Sequence, residues 1–357
     1  MTVQASVSFR RFVSVTIPLL CLASPLCAQW SGLKGLPFQV TEAVPFDGDG
    51  EFGILLDIAP RQDGSFCVAD FSNSRVACHS ATGAVLWRAG RKGQGPGEFS
   101  LLYRLAETAN GDLLALDLAG QRISRFSTHG KLLGTIRLPI FFRQVNSLVA
   151  RPDGGFAISG FTPGAGEAES FAVHLFSDSG LYQGSFGSLP EVANREVLNF
   201  LGSGPLRAGP DGSLLYTRLQ PYELIRRGAD GVLQRTALPP ILRAAEPAAA
   251  YVLENTATER RVSRSPEPVL MPSVTLPLSR GGVLATVQLE RQRGQVRAWW
   301  MVSDSSGQDL HRAELPPEVL PLSLQAIAAN DQVLWAIGEK AGEPVVWRFR
   351  IRWGSAP

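Results

Sequence analysis

The sequence predicts an all-β fold, a six-bladed β-propeller of four-stranded antiparallel blades. Three observations support this prediction. A polar turn followed by a β-rich run recurs along the chain, a second glycine turn follows most copies at a regular distance, and the strands at the two chain ends complement each other. Each repeat reads as strand, turn, strand, loop, strand, turn, strand, which is the pattern of a propeller blade.

The first turn of each repeat contains an Asp-Gly, an Asn-Gly or a weaker variant. Such pairs supply the positive-φ residues that a tight hairpin needs. The copies and their following runs are Asp63-Gly64 before SFCVAD, Asn110-Gly111 before DLLALD, Asp153-Gly154 before GFAISG, Asp211-Gly212 before SLLYTR, Gly281-Gly282 before VLATVQL and Asn330-Asp331 before QVLWAIG.

A second turn ends at a glycine in each of the first five repeats: Gly83, Gly130, Gly180, Gly231 and Gly307. The distance from the first to the second glycine is 19 or 26 residues in every case. The alternative is a β-sandwich with coincidental turns, but a sandwich has no reason to repeat both turns in order.

The chain ends predict how the ring closes. The sixth repeat stops after its third strand, VVWRFRIRW, while a spare strand-like segment, FQVTEAVPF at 38–46, lies near the N-terminus. Pairing this segment with the last blade would complete that blade and remove two exposed sheet edges.

The N-terminus reads as an export signal over residues 1–28. Arg10 and Arg11 precede a short apolar run with a proline, and Ala28 offers a cleavage site. The alternative is an uncleaved membrane anchor, which needs about 20 apolar residues. Residues 29–357 are then expected to form one domain without a membrane span, in the periplasm or outside the cell.

Charge excludes one class of partner. Without the two signal arginines, Lys and Arg together equal Asp and Glu at 32 each. Broad binding of nucleic acid needs a net or clustered positive field, so it is not expected.

Hairpin register predicts three side-chain pairs. A four-residue loop at 71–74 sets Asp70 opposite Arg75, and the same register sets Cys67 opposite Cys78. We therefore expect a cross-strand disulfide in an oxidising compartment, with two buried thiols as the alternative. Asp117 faces Arg122 by the same rule. Both charged pairs are interpreted as structural ion pairs, with ligand contact as the alternative.

A glycine-rich run, GRKGQGPGEF at 90–99, joins the first two repeats. This run, with Asp70-x4-Arg75 and Asp117-x4-Arg122, resembles bacterial secreted six-bladed propellers related to NHL repeats. The resemblance is specific over residues 50–140 and only architectural beyond. It implies an exported propeller, and the repeats from the third onward lack the Asp-x4-Arg pair.

No motif assigns a ligand, a metal or a cofactor. His79, His174 and His311 fall on separate blades and have no metal-binding spacing. Two insertions, 191–206 and 242–268, lengthen the repeats, and the first could hold a short helix. Long loops often carry function, so one hypothesis is that the second insertion caps one mouth of the ring, with Arg260, Arg261 and Arg264 as candidate ligand-binding residues. The alternative is a disordered surface flap.

The function predicted from these features is an exported binding or scaffold module. It would recognise a protein, a peptide or a small molecule through loops at one mouth of the ring, without a cofactor. The alternative is a metal-dependent propeller hydrolase or lyase with ligands near the axis. A third hypothesis is a module of a cell-surface assembly, which predicts an exposed apolar patch.

Overall fold

The structure is a computed structural model. It describes residues 38–46, 50–189, 204–209, 211–219, 222–237, 251–255, 260–264, 270–277, 284–292, 295–303, 309–314, 324–326 and 333–353.

Strands make up almost all the regular structure of these residues. The strands of the N-terminal half are β1 Phe38–Phe46, β2 Leu55–Pro60, β3 Phe66–Asp70, β4 Arg75–His79, β5 Val85–Ala89, β6 Leu102–Glu107, β7 Leu113–Asp117, β8 Arg122–Phe126, β9 Leu132–Arg137, β10 Gln144–Ala150, β11 Phe156–Phe161, β12 Phe171–Phe176 and β13 Tyr182–Ser188. Those of the C-terminal half are β14 Leu206–Ala208, β15 Leu214–Leu219, β16 Tyr222–Arg227, β17 Leu233–Ala237, β18 Tyr251–Asn255, β19 Arg260–Arg264, β20 Leu270–Pro277, β21 Leu284–Gln292, β22 Gln295–Ser303, β23 Asp309–Glu314, β24 Leu324–Ala326, β25 Val333–Lys340 and β26 Glu343–Trp353. A 3-10 helix spans Gly166–Ser170.

The strands form a propeller of four-stranded antiparallel blades. Five blades each use four consecutive strands: β2–β5, β6–β9, β10–β13, β14–β17 and β20–β23. A further four-stranded sheet has the order β1-β26-β25-β24 and so combines both ends of the chain. Strands β18 and β19 form a separate hairpin. No helix among the described residues has the length and apolar character to cross a membrane.

The N-terminal strand pairs with the C-terminal strand, as the sequence predicts. Strand β1 runs antiparallel to β26, with Val40 opposite Ile351 and Pro45 opposite Trp347. The last sheet also packs against the first blade, where Phe66 lies 4.6 Å from Trp335 between ring centroids. Both ring systems are fully buried, so this contact forms part of the core.

The Asp-Gly and Asn-Gly turns are stabilised by their own side chains. Oδ1 of Asp63 accepts the backbone N–H of Ser65 at 2.9 Å, and Oδ1 of Asp211 accepts that of Ser213 at 3.0 Å. The following glycines have φ values of +82° and +76°, which favour glycine. The turns therefore depend on both residues of the dipeptide.

Burial decreases from the middle strands of a blade to its outer strand. Strands β3 and β7 are buried at every position, whereas the outer strand β9 is mostly exposed. Large side chains fill the space between blades, as Phe99 and Phe126 do between the first two. Blade-to-blade packing therefore forms the core.

The structure describes parts of the two predicted insertions, at about 191–206 and 242–268. Strand β14 begins at Leu206, so the predicted insertion 191–206 runs one residue into a blade. Residues 191–203, where a short helix could lie, are outside the described residues. Within the insertion 242–268, the structure has the hairpin β18–β19, which the Ala-rich and Arg-rich composition did not indicate.

Candidate functional site

In β-propellers generally, the first strand of each blade lies nearest the central channel. Inner strands of successive blades contact one another in the order β24, β2, β6, β10, β14, and β20 also contacts β24. Strands β2, β6 and β10 each contain a bulge near their start, where the register skips Leu56, Tyr103 and Asn146. A bulge leaves backbone groups without a partner in the sheet.

The residue after each bulge reaches the next blade. Oδ2 of Asp57 accepts the backbone N–H of Leu105 at 2.8 Å, and Oγ of Ser147 accepts that of Leu206 at 3.1 Å. Asp57 and Ser147 are almost fully buried. Because buried backbone groups need hydrogen bonds, these polar residues are explained as links between blades.

Arg104 occupies the same position in the second blade and touches three blades. Its Nε donates to the carbonyl of Asn146 at 2.8 Å, and its Nη1 donates to the carbonyls of Leu56 and Tyr103 at 3.0 and 2.9 Å. The guanidinium also lies 4.1 Å from the centroid of the Tyr103 ring. Its partners among the described residues are thus neutral, and the side chain remains partly exposed.

A second arginine lies close to this position. Arg207 donates from Nη1 to Oγ of Ser147 at 3.4 Å and to the carbonyl of Leu206 at 2.8 Å. Burial lowers the pKa of Arg207 to about 10, with Asp57 opposing the shift and Arg104 adding to it. Arg207 therefore stays protonated near neutral pH. We call Asp57, Arg104, Ser147 and Arg207 the axial cluster.

The predicted ion pairs are present, and each also holds the segment that leads into an inner strand. Oδ2 of Asp117 lies 3.2 Å from Nη2 of Arg122, and Oδ1 accepts the backbone N–H of Leu101 at 2.8 Å. Oδ2 of Asp70 lies 3.3 Å from Nε of Arg75, whose Nη2 donates to the carbonyl of Glu51 at 2.9 Å. Both carboxylates are fully buried.

The fourth blade contains a reversed copy of this pair, which the sequence interpretation missed. Arg218 faces Glu223 across β15 and β16, with Nη2 and Oε2 2.8 Å apart. The signal in the sequence is the same five-residue offset with the charges exchanged, so that the base precedes the acid.

The glycine-rich connection at 90–99 is held by Glu98. Its Oε2 accepts the backbone N–H of Gly95 at 2.8 Å, and its Oε1 lies 2.7 Å from Nη2 of Arg91. The Gly95 N–H and then Arg91 lower the pKa of the Glu98 carboxyl. Phe99 is fully buried at the end of this connection.

The predicted cysteine pair forms a disulfide. Cys67 and Cys78 face each other across β3 and β4, with Cα atoms 4.0 Å apart, and both are fully buried.

The three histidines considered as metal ligands lie on strands of three different sheets. His79 and His174 lie on β4 and β12, the third strands of their blades, and each packs against a phenylalanine ring. His311 lies on β23. No group of three His, Cys, Asp or Glu side chains suited to a metal occurs within the described ranges.

The candidate ligand-binding arginines lie on one strand. Arg260, Arg261 and Arg264 belong to β19, where the first two face Asn255 and Glu254 of β18 in the backbone register. The placement of their side chains lies outside the described features. The axial cluster is a polar site whose side chains the structure describes, and the sequence pattern did not single it out.

Solved structures with a similar backbone are propellers. Virginiamycin B lyase from Staphylococcus aureus has a TM-score of 0.53 at 13% identity, covering 88% of this chain and 99% of its own. A gluconolactonase from Xanthomonas campestris has a TM-score of 0.52 at 16% identity, covering 91% and 93%. A protein from Bacteroides fragilis described as exported has a TM-score of 0.54 at 11% identity, covering 90% and 95%. The chain has a β-propeller fold.

At these identities the similarity shows the fold alone. No protein-family model matches the chain, and no curated protein matches it in sequence.

Proposed function

We propose that the chain is an exported six-bladed propeller, closed by β1, that binds a ligand at one mouth of its channel without catalysing a reaction. Residues 29–357 form its single domain and residues 1–28 its export signal. Pairing of β1 with β26 and packing of the last sheet on the first blade support the closed ring. The GRKGQGPGEF run and two Asp-x4-Arg pairs support an NHL-like relationship.

The observation that carries the binding function is the composition of the axial cluster. Its described side chains comprise two guanidinium groups, one carboxylate and one hydroxyl, most of them engaged in hydrogen bonds between blades. Groups held this rigidly suit recognition, because ordering the site costs little when the ligand binds. Guanidinium groups remain protonated and do not serve as metal ligands or general bases near neutral pH.

Binding can be tested with a thermal-shift screen of neutral sugars, short peptides and organic acids, using purified residues 29–357. Ligands that raise the unfolding temperature are then mapped by hydrogen exchange. We expect slower exchange in β2, β6 and β10. Protection confined to outer strands such as β9 or β13 would contradict binding at the axis.

The alternative, a metal-dependent hydrolase or lyase, is tested by turnover. The protein is incubated with δ-gluconolactone and Mg²⁺, Ca²⁺, Mn²⁺ or Zn²⁺ in turn, and proton release is compared with the uncatalysed rate. We expect no acceleration. A metal-dependent rate that chelation abolishes would replace the binding proposal with a hydrolase.

A further inference from the structure

The axial cluster carries more positive than negative charge. Arg104 and Arg207 contribute two positive charges, and Asp57 contributes one negative charge that acts on Arg207. Each described hydrogen bond of Arg104 goes to a neutral carbonyl. A partly buried guanidinium without a carboxylate partner is poorly compensated, since neutral acceptors stabilise it less than an ion pair does.

The surroundings of Arg104 suit an organic molecule rather than a bare inorganic ion. Leu56 and Tyr103, the bulge residues on either side of the first blade boundary, are both partly exposed. The Tyr103 ring lies against the guanidinium, so an aromatic face adjoins the positive charge. Such a site combines an anion-binding group with apolar surface, as small-molecule sites commonly do.

We propose that the axial cluster binds the carboxylate of a small organic acid, with Arg104 as the anchoring residue, Arg207 as a second source of positive charge and Tyr103 against the body of the ligand. This inference rests on the proposed binding function and specifies its ligand class. Asp57 accepts the backbone N–H of Leu105 and opposes, by its charge, the lowering of the Arg207 pKa.

Citrate is a suitable probe for the test, compared with inorganic phosphate and with NaCl at the same ionic strength and pH. Hydrogen exchange is measured for the wild-type protein and for Arg104→Met, Arg104→Lys and Arg207→Gln. The matched control is Arg235→Met, which removes an exposed arginine from the outer strand β17. Circular dichroism establishes that each variant is folded.

We expect citrate at ten times its dissociation constant to slow exchange roughly tenfold in β2, β6 and β10 of the wild type. Arg235→Met should keep this effect, and Arg104→Met and Arg207→Gln should lose most of it. Arg104→Lys retains the charge but not the planar geometry, so it should keep a weaker effect. If Arg104→Met does not fold, the role of Arg104 is tested by comparing Arg104→Lys with the wild type.

Other results would overturn the inference in different ways. Equal protection by citrate in wild type and in the Arg104 variants would show that the anion acts elsewhere or through the solvent. Protection by phosphate and not by citrate would exclude an organic acid. Protection of the same strands by a neutral sugar alone would reject a carboxylate ligand while leaving the proposed axial binding intact. If no compound in the screen protects these strands, both proposals are rejected.

Discussion

At the scale of single residues, buried polar groups in this chain hold neighbouring segments together. Asp57 and Ser147 each accept a hydrogen bond from a backbone N–H of the next blade. Asp117 accepts one from the backbone N–H of Leu101, which directly precedes the first strand of its own blade. Each of these hydrogen bonds replaces one that the backbone N–H makes to water in the unfolded chain. Loss of such a group therefore leaves a buried partner unsatisfied, which costs more than the bond contributes.

Asp117 provides the clearest test of this role. Asp117→Ala leaves the largely buried Arg122 without its carboxylate, so we expect a loss of about 3 kcal/mol in the free energy of unfolding. Urea denaturation followed by fluorescence measures it. Asp178→Ala, at an exposed turn, is the control and should change stability by less than about 0.5 kcal/mol. A variant as stable as wild type would contradict a structural role for the ion pair.

His174 predicts a pH dependence of stability. Burial lowers the pKa of His174 to about 4, while its value in the unfolded chain is about 6.5. The unfolded state therefore binds more protons between these values, so stability from this group is complete above pH 6.5 and falls as the pH decreases to about 4. The expected loss is up to about 3 kcal/mol.

Urea denaturation at several pH values, in wild type and in His174→Phe, checks this prediction. The phenylalanine can pack against Phe142, as the imidazole does, but cannot take up a proton. The variant should lose most of the slope between pH 6.5 and 4. His129→Gln removes an exposed histidine and should retain the slope. An unchanged slope in His174→Phe would assign the pH dependence to other groups.

At the scale of elements, the connection between the first two blades depends on glycine at a particular place. Gly90 has a φ of +99°, and an added Cβ would lie 2.5 Å from the Phe99 ring. Positive φ and close packing each exclude a side chain. The connection therefore brings the buried Phe99 ring against the backbone.

Gly90→Ala should lower the free energy of unfolding by about 2 kcal/mol or more, because the ring must move and the backbone is strained. Gly134→Ala is the matched control, since Gly134 in β9 has open space around its Cβ position. It should be neutral or slightly stabilising. Thermal denaturation of both variants measures the difference, and equal unfolding temperatures would contradict the packing argument.

At the scale of the whole molecule, the proposed ring brings both chain ends into one sheet. Strand β1 completes the sheet of β24–β26, and Phe46 extends the core shared with Phe66 and Trp335. Removing β1 would expose the edge of β26 and part of this core. An exposed edge strand invites pairing between molecules.

A truncated protein beginning at residue 50 should therefore unfold at a lower temperature than residues 29–357 and should aggregate. Size-exclusion chromatography and calorimetry check both expectations. Removal of residues 354–357 is the control, because it leaves β26 intact. A truncated monomer with the unfolding temperature of the longer protein would show that the ring does not need β1.

The sequence alone predicted much of the fold because its determinants are local. Asp-Gly and Asn-Gly turns act within a few residues, and hairpin register follows from loop length. The length of each loop was therefore sufficient to pair Cys67 with Cys78, Asp70 with Arg75 and Asp117 with Arg122. The complementary chain ends likewise indicated the pairing of β1 with β26.

Only the tertiary structure revealed the axial cluster and the links between blades. Asp57, Arg104, Ser147 and Arg207 are separated by about 40 to 60 positions, with no motif in common, and they meet because each follows or adjoins the start of an inner strand. A bulge changes which residue reaches the next blade, and a two-residue periodicity gives no sign of it. Local chemistry therefore determined the blades, whereas the placement of blades around the axis decided which charges lie together.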